Sequence, residues 1–169
     1  MATLWLIGMM GAGKSTVGPL AAERLDVPFV DLDERVAGGA GMTVPEIFAV
    51  EGEAGFRRRE EAAVAAAAGA PAVVACGGGV VLAERNVARL RASGMVVWLD
   101  APSAELEERV GVGGGRPLLA GGEASGGLGP ILEARSAAYA AAAHHRVATA
   151  GRTPEEVARE VVQLWKRGE

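Results

Sequence analysis

The sequence predicts an α/β protein: a mostly parallel sheet with helices on both faces, in a single domain. Three observations carry that expectation. Short apolar runs without polar alternation recur along the chain, as strands buried on both faces do. Stretches with helical start signals separate them, so the strands are joined by right-handed crossovers. A glycine-rich turn follows the first apolar run and opens the first helix. A length of 169 residues fits one domain with its own core.

The elements follow in order. Leu4-Trp5-Leu6-Ile7 reads as the first strand, and Lys14 to Leu25 as the first helix. Pro28 to Asp31 is a second short strand. Thr43, with Glu46 three residues later, is a capping box opening a helix to about Val50. Gly55 to Ala68 reads as a separate helix, and Ala72 to Cys76 as the third strand. Glu84 to Arg91 is a helix, Met95 to Leu99 a fourth strand, and Ser103 can cap a helix to about Val110. Gly111 to Gly129 holds nine glycines and little periodicity; a loop of that length is functional or disordered. A helix from about Pro130 to Ala143 and a strand from Arg146 to Ala150 come next. Thr153-Pro154-Glu155-Glu156 starts the last helix, with Thr at the N-cap, Pro at N1 and Glu at N3, running to about Arg167.

Composition excludes several classes. Half of the residues are hydrophobic and only 4% aromatic, so the core is built from Val, Leu, Ile and Ala. A single cysteine, Cys76, excludes an internal disulfide and a cysteine metal site. A net charge of −4 argues against a general nucleic-acid binder. Ala62 to Ala83 carries no charge over 22 residues, close to membrane-spanning length. Pro71 and Gly77-Gly78-Gly79 break it into a helix end, a turn, a strand and a loop. With no basic leader at the N-terminus, a cytoplasmic protein is expected, with no membrane partner.

Gly8-Met9-Met10-Gly11-Ala12-Gly13-Lys14-Ser15 matches G-x-x-x-x-G-K-[ST] in full, between a strand and a helix. Such a turn points successive N–H groups into one concavity at a helix N-terminus, where phosphate binds. Lys14 then suits the β- and γ-phosphates, and Ser15 suits Mg²⁺. The chain has 15 Arg and only two Lys, Lys14 and Lys166, yet places Lys here.

A phosphate loop names a nucleotide and not a reaction. A guanine switch needs an N-K-x-D stretch, which is absent. A motor needs an acidic strand end, and Ala72 to Cys76 ends in glycines. Asp100 ends the next strand, but Pro102 and Ser103 follow at once, so helix capping is its simpler reading. A small acceptor kinase fits the length better.

Other constellations admit two readings each. Asp31 and Asp33, two apart at a strand's end, share a side and suit Mg²⁺ and an acceptor hydroxyl; the plain alternative is a solvated Asp31 with Asp33 as a helix cap. Phe56-Arg57-Arg58-Arg59-Glu60-Glu61 is either an anion grip or a salt-bridged surface, with Arg57 spaced to meet Glu60 or Glu61. The glycine triplet at 77–79 lets backbone N–H groups approach a ligand, or is a loose turn. Arg116 in the glycine-rich insert suits a closing lid, or is a surface loop residue.

Taken together, GMMGAGKST (8–16), DLD (31–33), FRRRE (56–60), GGG (77–79), RPLL (116–119), Arg135 and Tyr139 resemble the shikimate kinase family over nearly the whole chain. The resemblance implies a three-layer P-loop kinase of the nucleoside-monophosphate-kinase type, with a five-stranded parallel sheet in the order 2-3-1-4-5. It implies ATP-dependent phosphorylation of shikimate at the 3-hydroxyl, on the way to chorismate, by a monomer using Mg²⁺. Its substrate-binding segment would be about 32–60 and its lid about 111–129.

Site roles follow from the same resemblance. Gly11, Ala12, Gly13, Lys14, Ser15 and Thr16 would hold the phosphates, with Ser15 and Asp31 at the metal. Asp33 would take the acceptor hydroxyls. Arg57 and Arg135 would grip the carboxylate beside Gly78 and Gly79, with Phe48 and Phe56 walling the ring and Glu60 orienting Arg57. Arg116 would reach substrate and phosphate, and Lys14, Asp33 and Arg116 would carry catalysis. Arg109, Arg152 and Pro154 would sandwich the adenine. Ala75-Cys76 brings no hydroxyl to the metal side. His144-His145 matches no motif of the family and reads as a cap or a solvent-facing pair. The alternatives are a kinase for another small hydroxylated carboxylate such as gluconate, and a nucleotide-binding protein without catalysis.

Overall fold

In the computed structural model, residues 2–111 and 127–168 are described. Five strands form one sheet: β1 (Thr3–Ile7), β2 (Phe29–Asp31), β3 (Val73–Ala75), β4 (Gly94–Asp100) and β5 (His145–Ala148). All pairings are parallel and the order is β2-β3-β1-β4-β5. Leu4 pairs with Val73 on one side and with Met95 on the other. The expected fold is therefore the observed one.

The central place of β1 explains its sequence. All five of its residues are buried, since the sheet flanks it on both edges and helices cover both faces. Leu4, Trp5, Leu6 and Ile7 are each 1% exposed or less, and burying each such apolar side chain contributes roughly 1.5–3 kcal/mol. The Trp5 indole N–H donates to Ser93 Oγ at 3.1 Å, so its one polar group is satisfied.

The helices are α1 (Lys14–Leu25), α2 (Leu32–Ala40), α3 (Val44–Ala67), α4 (Glu84–Ser93), α5 (Ser103–Gly111), α6 (Gly129–Ala142) and α7 (Pro154–Gly168), with a 3₁₀ turn at Val80–Leu82. α1 packs against α7, and α4 against α6. α7 turns Val157, Ala158, Val161, Val162 and Trp165 inward, a stripe at helical spacing. Its Thr153 and Glu156 close the expected capping box, Thr153 N donating to Glu156 Oε2 at 2.9 Å and Glu156 N to Thr153 Oγ1 at 3.3 Å.

Several expectations need correction. β2 stops at Asp31 and α2 begins at Leu32, so strand alternation does not relate Asp31 to Asp33. Asp31, not Asp33, is the helix cap: its Oδ1 accepts from Asp33 N at 3.0 Å and Glu34 N at 3.3 Å. α2 went unread because Gly38 and Gly39 disguise it and only Leu32 and Val36 are buried. The two helices expected from Thr43 to Ala68 are both present: α3 is two helical segments that meet at a kink, Gly52, whose backbone is not helical. Gly52 has φ 71°, a left-handed conformation that glycine adopts without cost. Arg59 pairs with Glu51 across that bend, with contacts of 2.9 and 2.7 Å. Eight residues apart, they would not meet on a straight helix. Asp100 caps no helix but accepts twice from Arg146 of the neighbouring strand, at 3.0 and 2.6 Å.

The uncharged stretch 62–83 divides as expected, into the end of α3, a turn, β3 and the glycine loop. Among the described residues no helix is long and apolar enough to cross a membrane.

Candidate active site

The strand order creates the site. The chain reaches β3 on one side of β1 and β4 on the other, so a crevice opens at the carboxyl end of β1, where open α/β sheets bind ligands. The phosphate loop lies there. Gly8 has φ 142°, and a Cβ on it would run into the Leu99 carbonyl oxygen. Gly13, at φ 100°, is the N-cap of α1, whose first turn holds no acidic residue, so the positive end of the helix dipole is not neutralised from within. Lys14 is only 8% exposed. Its Nζ donates to Gly8 O at 2.7 Å and Met9 O at 2.8 Å, which holds the ammonium inside the loop.

A cleft of ≈ 650 Å³ joins this loop to Asp31, Asp33, Gly77 and Gly78 on one side and to Arg109, Arg152 and Pro154 on the other. Arg109 is fixed from three directions. Its Nη1 donates to Gly11 O at 3.1 Å and to Thr149 Oγ1 at 3.4 Å, and Glu105 pairs with it one turn back on α5. Arg152 pairs with Glu160 at 2.7 Å and donates to Ala148 O at 2.8 Å. Thr149, 3% exposed, belongs to this wall. No motif marked it, because a lone Thr between a strand and a helix carries no pattern.

Ser15 Oγ donates to Asp31 Oδ2 at 2.8 Å. A hydroxyl and a carboxylate side by side are hard oxygen donors of the kind Mg²⁺ takes while keeping several waters. The residues present thus fit that ion.

The glycine triplet is the hub of the acceptor side. A Cβ on Gly77 would lie 2.8 Å from Asp33 Oδ1 and 3.0 Å from Glu60 Oε2. One on Gly78 would lie 3.4 Å from Arg135 Nη1, and one on Gly79 2.6 Å from Arg57 Nη1. The missing side chains make room for two carboxylates and two guanidinium groups. Charged side chains thus stand where side chains on the triplet would have been.

Those groups are held by one another. Arg57 Nη1 donates to Glu60 Oε1 at 2.9 Å, and Glu53 lies 3.6 Å from Arg57 Nη2. Glu61 turns instead toward Arg85, at 3.9 Å. Burial pushes the Glu60 carboxyl up, Arg57 holds it back, and neighbouring Asp33 raises it further. Phe48 and Phe56 pack at 4.8 Å between centroids, and the Arg57 guanidinium lies 5.3 Å from the Phe56 ring. Glu60 Oε2 and Arg135 Nη1 are buried without a hydrogen-bond partner among the described residues. Orphaned charged atoms at this depth are costly, and an incoming ligand can satisfy both.

The fold thus gathers the candidate residues on the described part of the chain into two adjoining groups. Arg116 and most of the expected lid lie outside the described residues. Among the described residues His144 belongs to no group of three or more His, Cys, Asp or Glu side chains that could hold a metal ion; its Nδ1 accepts from Val96 N at 3.0 Å.

The shikimate kinase family model matches residues 10–166. The chain belongs to the shikimate kinase family. A shikimate kinase of Symbiobacterium thermophilum is 49% identical over 168 residues, covering 97% of each chain. The solved shikimate kinase of Acinetobacter baumannii, in complex with shikimate, superposes with a TM-score of 0.94 at 34% identity, covering 100% of this chain and 95% of that one. A gluconokinase of Sinorhizobium meliloti reaches only 0.59 at 17% identity, a likeness of fold alone. The shikimate kinase reading thus stands over the gluconate alternative.

Proposed function

We propose that the chain transfers the γ-phosphoryl group of ATP to the 3-hydroxyl of shikimate, giving shikimate 3-phosphate and ADP, as a cytoplasmic monomer. One observation carries the reading. Asp33, Glu60, Arg57 and Arg135 converge on Gly77, Gly78 and Gly79, immediately beside the phosphate loop. Two guanidinium groups suit a carboxylate, and two carboxylates suit hydroxyls, which is the polar outline of shikimate.

Phosphoryl transfer asks for positioning and charge neutralisation. Residues 11–16 cradle the phosphates, and Lys14 moves from its loop carbonyls to their oxygens. Ser15 and Asp31 would hold Mg²⁺, which would supply positive charge to the phosphates. Asp33 accepts the hydrogen bond of the attacking hydroxyl and orients its oxygen. Arg57 and Arg135 hold the carboxylate, which selects the hydroxyl that faces the phosphate. Glu60 fixes Arg57, and Phe48 and Phe56 wall the ring. Arg109, Arg152 and Pro154 hold the adenine, and Arg116 closes over the transferring group.

A coupled assay of ADP release with ATP, Mg²⁺ and either shikimate or gluconate tests the proposal. Turnover with shikimate alone is the expected result. Turnover with gluconate alone overturns the substrate, and ATP binding without turnover of either overturns the catalysis.

A further inference from the structure

Tyr139 follows Arg135 by one turn of α6 and takes no part in the mechanism above. It is wholly buried. Its ring stacks on Trp98 of β4, 5.6 Å between centroids at an angle of 28°. Its hydroxyl donates to Gly78 O at 2.5 Å. The Arg135 guanidinium comes to the same glycine, its Nη1 lying 3.4 Å from where a Gly78 Cβ would stand. One phenol oxygen therefore joins the helix that carries Arg135 to the middle glycine of the triplet, while the ring is fixed against the sheet.

The geometry at Arg135 is demanding. The residue is 6% exposed, its Nη1 has no hydrogen-bond partner among the described residues, and that atom lies beside Gly78. A guanidinium is a planar fork whose value for a carboxylate depends on its orientation. Among the described residues no carboxylate forms an ion pair with Arg135 to set that orientation, unlike Arg57, which has Glu60. The helix is anchored farther on, where Arg91 Nη1 donates to Ala142 O at 3.0 Å. That contact fixes α6 but not the turn of the Arg135 side chain.

We propose that Tyr139 is the positioning residue of Arg135: its hydroxyl holds the Gly78 carbonyl against the helix that carries the guanidinium, so that Nη1 is presented to the substrate carboxylate beside the glycine triplet. The proposal rests on the reading of Arg135 as a carboxylate ligand. Burial pushes the Tyr139 phenol up to about 12, with Arg135 pulling the other way, so the hydroxyl keeps its proton at neutral pH and remains a donor to Gly78. It has no exposure through which to touch substrate or to exchange a proton with it.

Tyr139→Phe keeps the ring and removes the oxygen. It should raise KM for shikimate about 10-fold, the scale of one lost orienting contact, with kcat and KM for ATP within about twofold. In an Arg135→Ala background the same change should add less than about twofold. Trp98→Phe loosens the stack but keeps the hydroxyl, and should leave KM for shikimate within about twofold even if it lowers the melting temperature. Tyr139 is the single tyrosine of the chain, so 3-fluorotyrosine labels it alone. Its fluorine resonance should shift when shikimate is added without ATP, and stay put in Arg135→Ala. That measurement survives a Tyr139→Phe chain that does not fold. If Arg135→Ala leaves KM for shikimate unchanged, the carboxylate reading fails and takes the proposal with it. If Arg135→Ala raises KM but Tyr139→Phe does not, the proposal alone fails. An equal effect of Tyr139→Phe in both backgrounds, an equal effect of Trp98→Phe, or a fluorine shift that persists in Arg135→Ala shows a structural role and overturns it too.

Discussion

The hydroxyl of Ser15 and the carboxylate of Asp31 meet at 2.8 Å, joining the start of α1 to the end of β2. The two oxygens of Asp31 are divided: Oδ2 takes this bond, while Oδ1 caps α2 and accepts from the backbone N–H of Asp33. One side chain thus ties the proposed metal corner to the backbone of the residue that meets the acceptor hydroxyl. Asp31→Asn keeps an oxygen for the cap and loses the charge. It should leave the melting temperature nearly unchanged and move the Mg²⁺ dependence of turnover to higher concentration. Asp31→Ala loses the cap as well, at about 1 kcal/mol of stability. Thermal melts and Mg²⁺ titrations of both variants separate the two roles; an unmoved Mg²⁺ midpoint in Asp31→Asn removes this carboxylate from the metal.

Gly79→Ala should act as a mutation of Arg57. The new Cβ would fall 2.6 Å from Arg57 Nη1 and 2.7 Å from its Cζ. The obstructed group is the far end of a long side chain, so it can swing away at little cost to the fold. Its hold on a carboxylate is lost with it. KM for shikimate should rise roughly 10-fold or more, as for a lost charge-assisted contact, with KM for ATP and the melting temperature close to wild type. A variant with normal shikimate kinetics would show that Arg57 has no fixed place in the site.

Lys14→Ala should cut turnover by ~100-fold or more while the fold persists, the scale of losing one preorganised charge at the transferring group. The side chain holds two carbonyls of its own loop, so the change also frees Gly8 O and Met9 O. Steady-state kinetics beside circular dichroism decide the matter. Near-normal turnover would place the phosphate charge elsewhere.

Much of this architecture was legible in the sequence, and the exceptions have physical reasons. The strands of the sheet were readable because β1, β3 and β4 are buried on both faces and so are written as continuous apolar runs. The phosphate loop was readable because backbone geometry demands glycine at fixed spacing. α2 was hidden because it is short, glycine-bearing and capped by a residue that the strand seemed to own. The break at Gly52 was legible between the two expected helices, but its Glu51–Arg59 brace was hidden because eight-residue pairing belongs to no regular periodicity. The charged groups beside the glycine triplet were hidden, since a local pattern shows that space exists but not which distant side chains border it. Arg135 and Tyr139 carried no local signal of function and entered only through resemblance.

His144 should make stability sensitive to mild acid. Its backbone N–H donates to Val96 O at 2.8 Å and its Nδ1 accepts from Val96 N at 3.0 Å. Burial lowers the imidazole pKa below the ordinary value of 6.5, and the facing Arg91 and His145 lower it further. The folded chain therefore takes up this proton less readily than the unfolded one. The stabilising effect of the site is complete above about pH 6.5 and is lost as pH falls through the lower folded value. A protonated Nδ1 would turn a second donor toward the Val96 N–H. His144→Asn retains an acceptor that does not titrate. The melting temperature of the wild type should fall further between pH 7.5 and 5.5 than that of the variant, and parallel curves would remove His144 as the cause.

The carboxylate grip has the sharpest consequence for specificity. Arg57 on α3 and Arg135 on α6 are 78 positions apart in the chain, yet both reach the glycine triplet, at Gly79 and Gly78. Only the fold brings them together. If both bind the carboxylate, the methyl ester of shikimate leaves two guanidinium groups facing a neutral group. Losing one charge-assisted contact of this kind costs roughly 1.5–3 kcal/mol, or ~10- to 100-fold in kcat/KM. The ester should therefore be a much poorer substrate than the acid. Arg57→Ala and Arg135→Ala should each bring a comparable loss with shikimate, at nearly unchanged KM for ATP. Against the ester, each variant should differ far less from wild type, because the partner of the arginine is already gone. Steady-state kinetics of three proteins on two substrates test the whole pattern. Equal use of ester and acid would remove both arginines from substrate recognition and leave the Arg57–Glu60 pair as a brace within α3.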